Sequence, residues 1–329
     1  MRIGFFGEVM QEHRADGCGF GFGGDTLNTA LYLHRLSRAA GSNISVQYFT
    51  MLGHDRASEQ LLDTLQAEDF ALCATQHPDK SLGQYWIDID AMGERSFRYQ
   101  RDDSAAKQYF CHAGSALEDA LAAGSLDALY LSGISLAILA ETDRLRLYHA
   151  IAGFVRRGGW LIYDNNFRPQ LWNAPSAARW QQTLLPLSRL VLLTDSDERL
   201  IWQRATAGAA DLVKAALQAG AATVVLKCGA APCWLAEQDG CWQVPALQVA
   251  QVVDSSGAGD AFAAGFLARF CMNPTDLMSA AQAGHQLAAT VVQHHGAVIP
   301  FARMPVVLMQ PASDSPLLST SEARSNHAD

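Results

Sequence analysis

The sequence predicts an α/β fold in which a mostly parallel sheet is covered by helices on both faces. Three observations lead there. Strand-like apolar runs alternate with helical patterns over most of the chain, the mark of successive βαβ units. Hydrophobic residues make up 49% and charged residues 17%, a balance that supports a packed core rather than disorder. The 329 residues suffice for one large domain or two ordinary ones.

In chain order, Arg2–Gly7, Ile44–Met51, Ala128–Ser132, Trp160–Asp164, Leu190–Thr194 and Ala222–Lys227 read as buried strands. Between and after them, Thr26–Arg38, Ser58–Ala67, Leu136–Arg157, Ala209–Gln218, Gly257–Phe270 and Pro274–Gln293 have helical spacing. One stretch departs from this rhythm. Gln84–Asp90 and Arg95–Arg101 alternate as half-buried strands do, and Ala91-Met92-Gly93-Glu94 between them suits an antiparallel turn. Such a hairpin either covers a pocket at the strand ends or is a surface ribbon without a role. From Pro311 to Asp329 small polar residues dominate without an apolar period, so residues 305–329 are expected to form a disordered tail beyond a single domain of residues 1–304. No repeat of solenoid type is visible.

Composition also excludes functions. A net charge of −9 disfavours a protein that holds nucleic acid by bulk charge. No apolar run reaches the roughly 20 residues that span a bilayer, and Met1 to Gly7 is too short for a signal-peptide core, so the cytoplasm is the expected compartment. Seven cysteines without a CxxC pair agree with reducing surroundings, and Cys228, Cys233 and Cys241 make a poor zinc cluster on strand and turn. Asp195, Asp197 and Glu198 form an acidic stretch whose metal role the sequence leaves open.

Two glycine-bearing motifs carry the chemistry. In the first, Gly19-Phe20-Gly21-Phe22-Gly23-Gly24-Asp25-Thr26-Leu27-Asn28 runs into a helix. Gly19, Gly21 and Gly24 match the dinucleotide fingerprint, but a polar gap separates them from the preceding strand and no acidic residue closes a second strand about 20 positions on. The other reading is a loop whose glycines admit a polyhydroxylated ligand, with Asp25 and Asn28 addressing its hydroxyls. The second motif is Asp254-Ser255-Ser256-Gly257-Ala258-Gly259-Asp260-Ala261-Phe262. Glycines 257 and 259 let successive backbone N–H groups converge on an oxyanion at a helix start, which makes a phosphate site. A carboxylate at 260 would repel that phosphate unless it takes a proton from the attacking group; the plainer reading is a helix-start carboxylate that complements the dipole. The P-loop GxxxxGK[ST] and the HRD and DFG signatures of protein kinases are absent.

At these residues the chain resembles the ribokinase/PfkB family of carbohydrate kinases. Gly23–Asn28 (GGDTLN) resembles the N-terminal sugar signature of that family, and Asp254–Phe262 (DSSGAGDAF) its C-terminal signature, about 230 residues on. GGDTLNTA near Gly23, YLSGISLAIL from Tyr130, DNNFRPQLW from Asp164 and GAVIP near Gly296 are similar to the branch acting on 2-keto-3-deoxygluconate. The resemblance, which covers residues 1 to about 304, implies a ribokinase-like three-layer sandwich with a small β-sheet lid from strands near 8–22 and 82–103. It also implies a homodimer, Mg²⁺ and ATP, and phosphorylation of the 6-hydroxyl of a six-carbon keto acid.

Residue by residue, the resemblance implies that Gly23, Gly24, Asp25 and Asn28 meet the substrate, while Tyr85, Tyr99 and Arg101 reach it from the lid. Arg168 would meet the substrate carboxylate or the transferring phosphoryl group. Gly257, Ala258 and Gly259 would form the anion hole, with Asp260 as base. Lys227 and Gly229 of a KxG-like turn, Asp254 and Ala288 would line the nucleotide site; Pro232 stands where a second glycine is common, and the acidic stretch at 195–198 is a degenerate form of the family's magnesium motif. An acid substrate wants planar, forked donors, which Arg101 and Arg168 can supply; surface ion pairs are the alternative for both. His285 is expected to pack beside the adenine, and His294 and His295 to serve as surface or cap residues. Other acceptors (fructose, ribose, tagatose, 2-keto-3-deoxygalactonate, a nucleoside), a non-catalytic sugar-binding regulator and a dinucleotide oxidoreductase are the rival readings.

Overall fold

Successive side chains of a strand face opposite ways, so a strand in the middle of a three-layer protein must be apolar on both sides. The first strand does this: Ile3 and Phe5 join one buried cluster, and Phe6 the other. The structure is a computed structural model that describes residues 1–13, 20–89, 95–305 and 308. In chain order it contains β1 (Arg2–Phe6), β2 (Met10–His13), β3 (Phe20–Gly23), α1 (Asp25–Ala39), β4 (Ser45–Leu52), α2 (Arg56–Ala67), β5 (Ala71–Gln76), β6 (Gly83–Ile89) and β7 (Arg95–Gln100). Then follow α3 (Ala116–Ala123), β8 (Ala128–Ser132), α4 (Gly133–Ala137), α5 (Glu141–Arg156), β9 (Trp160–Asp164), α6 (Ala174–Leu184), β10 (Ser188–Thr194) and α7 (Asp195–Ile201). The chain continues through α8 (Ala209–Gln218), β11 (Thr223–Lys227), β12 (Cys233–Glu237), β13 (Gly240–Val244), α9 (Ala258–Phe270) and α10 (Leu277–Val291).

Among the described residues, the large sheet has the order β13-β12-β11-β10-β9-β8-β1-β4-β5. Its pairs are parallel from β5 to β11 and antiparallel from β11 to β13. From β1 the chain first builds outward through β4 and β5, then returns to lay β8 on the other side of β1. That reversal opens a crevice at the C-terminal ends of β1 and β8, the usual place for a ligand in such a sheet. A second sheet, β3-β2-β6-β7, stands over this end and is the expected lid.

The six predicted strands all form, and the helices 26–38, 58–67, 209–218, 257–270 and 274–293 appear within a few residues of expectation. The helix expected over Leu136–Arg157 is instead two. A Ser132–Ser135 capping box starts α4 directly after β8. The helix then stops, because Arg144 reaches back to donate to the carbonyls of Leu136 at 2.7 Å and Ala137 at 3.2 Å. Ala140, extended at ψ 158°, starts α5 afresh. The hairpin strands are present, while its turn (91–94), Gly19 and nearly all of the expected tail lie outside the described residues. Leu308, by contrast, is buried against the same apolar cluster as α1, α9 and α10.

Helices α9 and α10 lie unusually close. A Cβ on Gly265 would stand 2.5 Å from the carbonyl oxygen of Ala283, and one on Gly284 2.8 Å from that of Phe262. Alanine at 265 would gain about 1 kcal/mol of helix propensity, but forcing a methyl against backbone costs about 1–3 kcal/mol. Gly265→Ala is therefore expected to lower the urea unfolding midpoint; a raised midpoint would show that the helix contact is looser than described.

Candidate active site

The site is assembled at the crevice by α1, α9, and the loops after β9 and β11. Gly257 is the N-cap of α9 and has a left-handed backbone, φ 69°. A Cβ there would also collide with the carbonyl oxygen of Ala297 at 2.6 Å, so glycine is required twice over. No side chain caps α9; Ala258 N donates to Ser255 O at 3.3 Å, and a helix start without a side-chain cap is a place where an anion can bind. Asp254 was expected at the nucleotide; instead it is buried under this loop, with Oδ1 accepting from Ser256 N at 3.0 Å and Oδ2 from Gly296 N at 2.7 Å. It braces the turn from below. Behind Gly257, the Tyr32 hydroxyl of α1 donates to Ala297 O and accepts from Ile299 N, each at 2.9 Å.

Asp260 occupies the first turn of α9, half-buried, and its Oδ2 accepts from Asn28 Nδ2 of α1 at 2.8 Å. Burial raises its pKa to about 7, with Asp25 adding repulsion and the Asn28 hydrogen bond opposing the rise. Asn28 Oδ1 is buried and has no partner, an orphan acceptor at the heart of the site. Asp25 Oδ2 accepts from Asn166 Nδ2 at 2.6 Å. Lys227 Nζ donates to Asp164 Oδ2 at 2.7 Å and stands 3.7 Å from the Cβ position on Gly259, so a cation adjoins the anion loop. Tyr130, on β8, also donates to Asp164 Oδ2, at 3.2 Å.

The expected residues thus fall into two groups. Asp25, Asn28, Asp260 and Lys227 come together with the start of α9 at Gly257–Gly259, while Gly24 is the N-cap of α1. The lid residues are more committed than expected: the Tyr85 hydroxyl donates to Glu12, and Arg101 is a buried partner of Glu8 rather than a surface ion pair. Tyr99 is 45% exposed beside the Tyr85 ring, and the Tyr85 hydroxyl lies where a Cβ on Gly23 would be. Arg168 is exposed in the loop after β9, its Nη1 donating to Phe167 O at 3.0 Å. Gly229 turns with φ 60° after β11, and Ala288 is a half-buried residue of α10. His285 is buried edge-on to Phe262, and burial lowers its pKa. The dinucleotide reading fails on geometry, because Phe20–Gly23 is a strand of the lid antiparallel to β2, not a core strand feeding a helix.

Reading the sequence missed Glu8, Glu12, Asp164 and Asn166. A signal existed for Glu8: an acidic residue two positions past a buried strand, at the end where such sheets bind ligands. In the acidic stretch, Glu198 is buried and accepts from Asn165, Gln181 and Trp202, and Asp197 Oδ2 accepts from Phe167 N at 3.0 Å; burial raises the pKa of both. Among the described residues no group of three or more His, Cys, Asp or Glu is placed to hold a metal, and no helix is long and apolar enough to cross a membrane.

Residues 5–303 match the model of the pfkB family carbohydrate kinases. The chain belongs to this family. It is 37% identical over 310 residues to the 2-dehydro-3-deoxygluconokinase of Dickeya dadantii, covering 92% of this chain and 98% of that one. To the enzyme of the same name from Escherichia coli K12 it is 38% identical over 312 residues, 92% and 99% of the two chains. Among solved structures, the fructokinase of Xylella fastidiosa with bound ATP superposes with a TM-score of 0.75 at 23% identity, covering 94% of this chain and 97% of that one. Aminoimidazole riboside kinase of Salmonella enterica gives 0.74 at 18%, covering 92% and 96%. The ribokinase-like fold and the carbohydrate-kinase class follow.

The raised pKa of Asp260 makes stability depend on pH. Below about pH 4 the carboxyl is protonated in both folded and unfolded chains; between about 4 and 7 only the folded chain keeps the proton, so stability falls as pH rises across that window and is level above it. Asp260→Asn should therefore be the more stable protein at pH 8, by on the order of 2 kcal/mol after allowance for the solvent that reaches the group, and no more stable near pH 3.5. Urea unfolding at the two pH values checks this; equal stability at pH 8 would mean that the carboxylate bears no burial cost.

Proposed function

We propose that this protein transfers the γ-phosphoryl group of ATP to the 6-hydroxyl of 2-keto-3-deoxygluconate, giving the 6-phosphate and ADP. The observation that carries the reading is the Asp260 carboxylate, raised to a pKa of about 7 and held by Asn28 in the first turn of a helix that no side chain caps. It is a base matched to neutral pH beside an oxyanion site. The names of the relatives at 37–38% identity over nearly the whole chain support the substrate.

In this reading the acceptor lies between the lid and α1. Its hydroxyls face Gly24, Asp25 and Asn28, whose orphan Oδ1 is an acceptor in wait for a hydroxyl proton. Arg101 or Arg168 takes the carboxylate. Asp260 removes the proton from the 6-hydroxyl as that oxygen closes on phosphorus, and the amides of Gly257–Gly259 with the Lys227 ammonium meet the charge on the transferring group. The open helix start and the adjacent lysine fit a phosphate chain, with Gly229 and Ala288 toward the nucleotide. Mg²⁺ would neutralise phosphate charge, with Asp197 and Asp164 nearby as acceptors. The lid would exclude water as a competing acceptor. A cytoplasmic homodimer completes the proposal, supported by composition and by the family resemblance.

Asp260→Asn should lower kcat by about 10²–10⁴ with acceptor KM little changed. In the wild type, kcat/KM should rise tenfold per pH unit up to about 7 and level above it, since only the deprotonated carboxylate is a base. A flat profile, or near wild-type turnover in the variant, removes Asp260 from the mechanism. A coupled assay of ADP release should favour 2-keto-3-deoxygluconate over fructose and ribose by at least about 10², because buried donors for a carboxylate are left unpaired by a neutral sugar. Its galacto epimer is the close competitor. A higher kcat/KM for a neutral sugar would overturn the substrate assignment.

A further inference from the structure

The chain crosses four times between the large sheet and the lid: outward at Gly7–Val9, back at Gly23–Asp25, outward at His77–Leu82 and back at Arg101–Ser104. One residue of the first crossing, Glu8, touches the second and fourth and abuts Gly83, the lid residue that follows the third. Its carbonyl oxygen lies 2.4 Å from the Cβ position on Gly24, a contact only glycine permits there. Its Oε1 lies 2.8 Å from the Cβ position on Gly83 and accepts from Ser104 Oγ at 2.5 Å. Its Oε2 accepts from Arg101 Nη2. Ser81 and Ser104 pair as an isolated bridge beside it, which closes the ring of crossings.

Glu8 is 2% exposed and Arg101 7%. Burying two charges forfeits several kcal/mol of hydration each, so such a pair is a poor device for net stability and is better explained by what it positions. Arg101 shows what that is. Its Nε is buried and has no partner, although a native fold leaves few buried donors orphaned. A guanidinium gripped at Nη2 keeps its plane fixed and its remaining N–H vectors aimed, as a fork awaiting an anion requires.

We infer that Glu8 is a positioning residue: it orients the Arg101 guanidinium toward an anionic group of the acceptor and, through the same contacts, fixes the angle at which the lid meets the core. The inference rests on the reading of Arg101 as an acceptor contact.

The test begins with the acceptor panel on the wild type, which judges the substrate assignment separately; the variants are then assayed with whichever acceptor the wild type prefers. Glu8→Gln keeps shape and removes the charge. It should raise acceptor KM at least tenfold, leave ATP KM within about twofold, and increase ADP release in the absence of acceptor as the lid loosens. Arg101→Met should raise acceptor KM as well, and the double variant should have an acceptor KM no higher than that of Arg101→Met alone, since Glu8 reaches the acceptor's anionic group through Arg101, while its hold on the lid angle is read by ADP release without acceptor. Ser104→Ala, which removes one donor and spares the ion pair, gives a smaller rise in the same direction and serves if Glu8→Gln does not fold. An unchanged acceptor KM in Glu8→Gln, Ser104→Ala or Arg101→Met overturns the inference. So do KM effects of Glu8 and Arg101 that multiply in the double variant.

Discussion

The site depends on a carboxylate kept where water would not choose to leave it. Asp260 stands among Asp25 and Asp164, partly withdrawn from solvent, with the Asn28 amide as its hydrogen-bonding partner and Lys227 as the nearby opposing charge. Removing hydration makes the anion costly, and the cost appears as a proton affinity far above that of a free aspartate. The same crowding that costs stability brings the group into the range where a base works at neutral pH. Everything around it holds that position: the close α9–α10 contact at Gly265 and Gly284, the left-handed turn at Gly257, and Asp254 and Tyr32 bracing the turn from behind.

Charge is arranged in layers outward from this point. Asp164 Oδ2 accepts from both Lys227 and Tyr130, so the lysine is held beside the start of α9 by a carboxylate other than Asp260. Asn166 holds Asp25 in turn. A cation fixed in this way has little freedom left to lose when a phosphate arrives, which is the physical content of preorganisation. Farther out, Glu8 with Arg101 and Glu12 with Tyr85 repeat the pattern in the lid, where acidic groups engage the side chains that face the crevice.

Local rules made much of this legible. Strand runs and helical spacing placed the sheet, because a two-faced strand must be apolar throughout and a packed helix must show its period. The break at Ala140 was not legible, because it is made by Arg144 reaching carbonyls seven and eight residues earlier, a tertiary use of a residue that spacing alone reads as helix. The glycine turn that starts α9 was legible because its needs are local: a residue at φ 69° favours glycine, and a helix begins directly after it. The protein partners of Tyr85, Arg101 and Asp254 were not, since Glu12, Glu8 and the amides of Ser256 and Gly296 meet them only through the fold.

The sequence by itself determined the alternating α/β architecture, the anion loop and the carboxylate that follows it, since each is a matter of backbone freedom and apolar period within a few neighbouring residues. Only the tertiary structure decided which charges stand together. Glu8 meets Arg101 across 93 positions, Asn166 meets Asp25 across 141, and Asn28 meets Asp260 across 232. The pKa of Asp260 and the aim of the Arg101 fork follow from those meetings, because electrostatic energy depends on distance and burial, and neither is written in the order of residues along the chain.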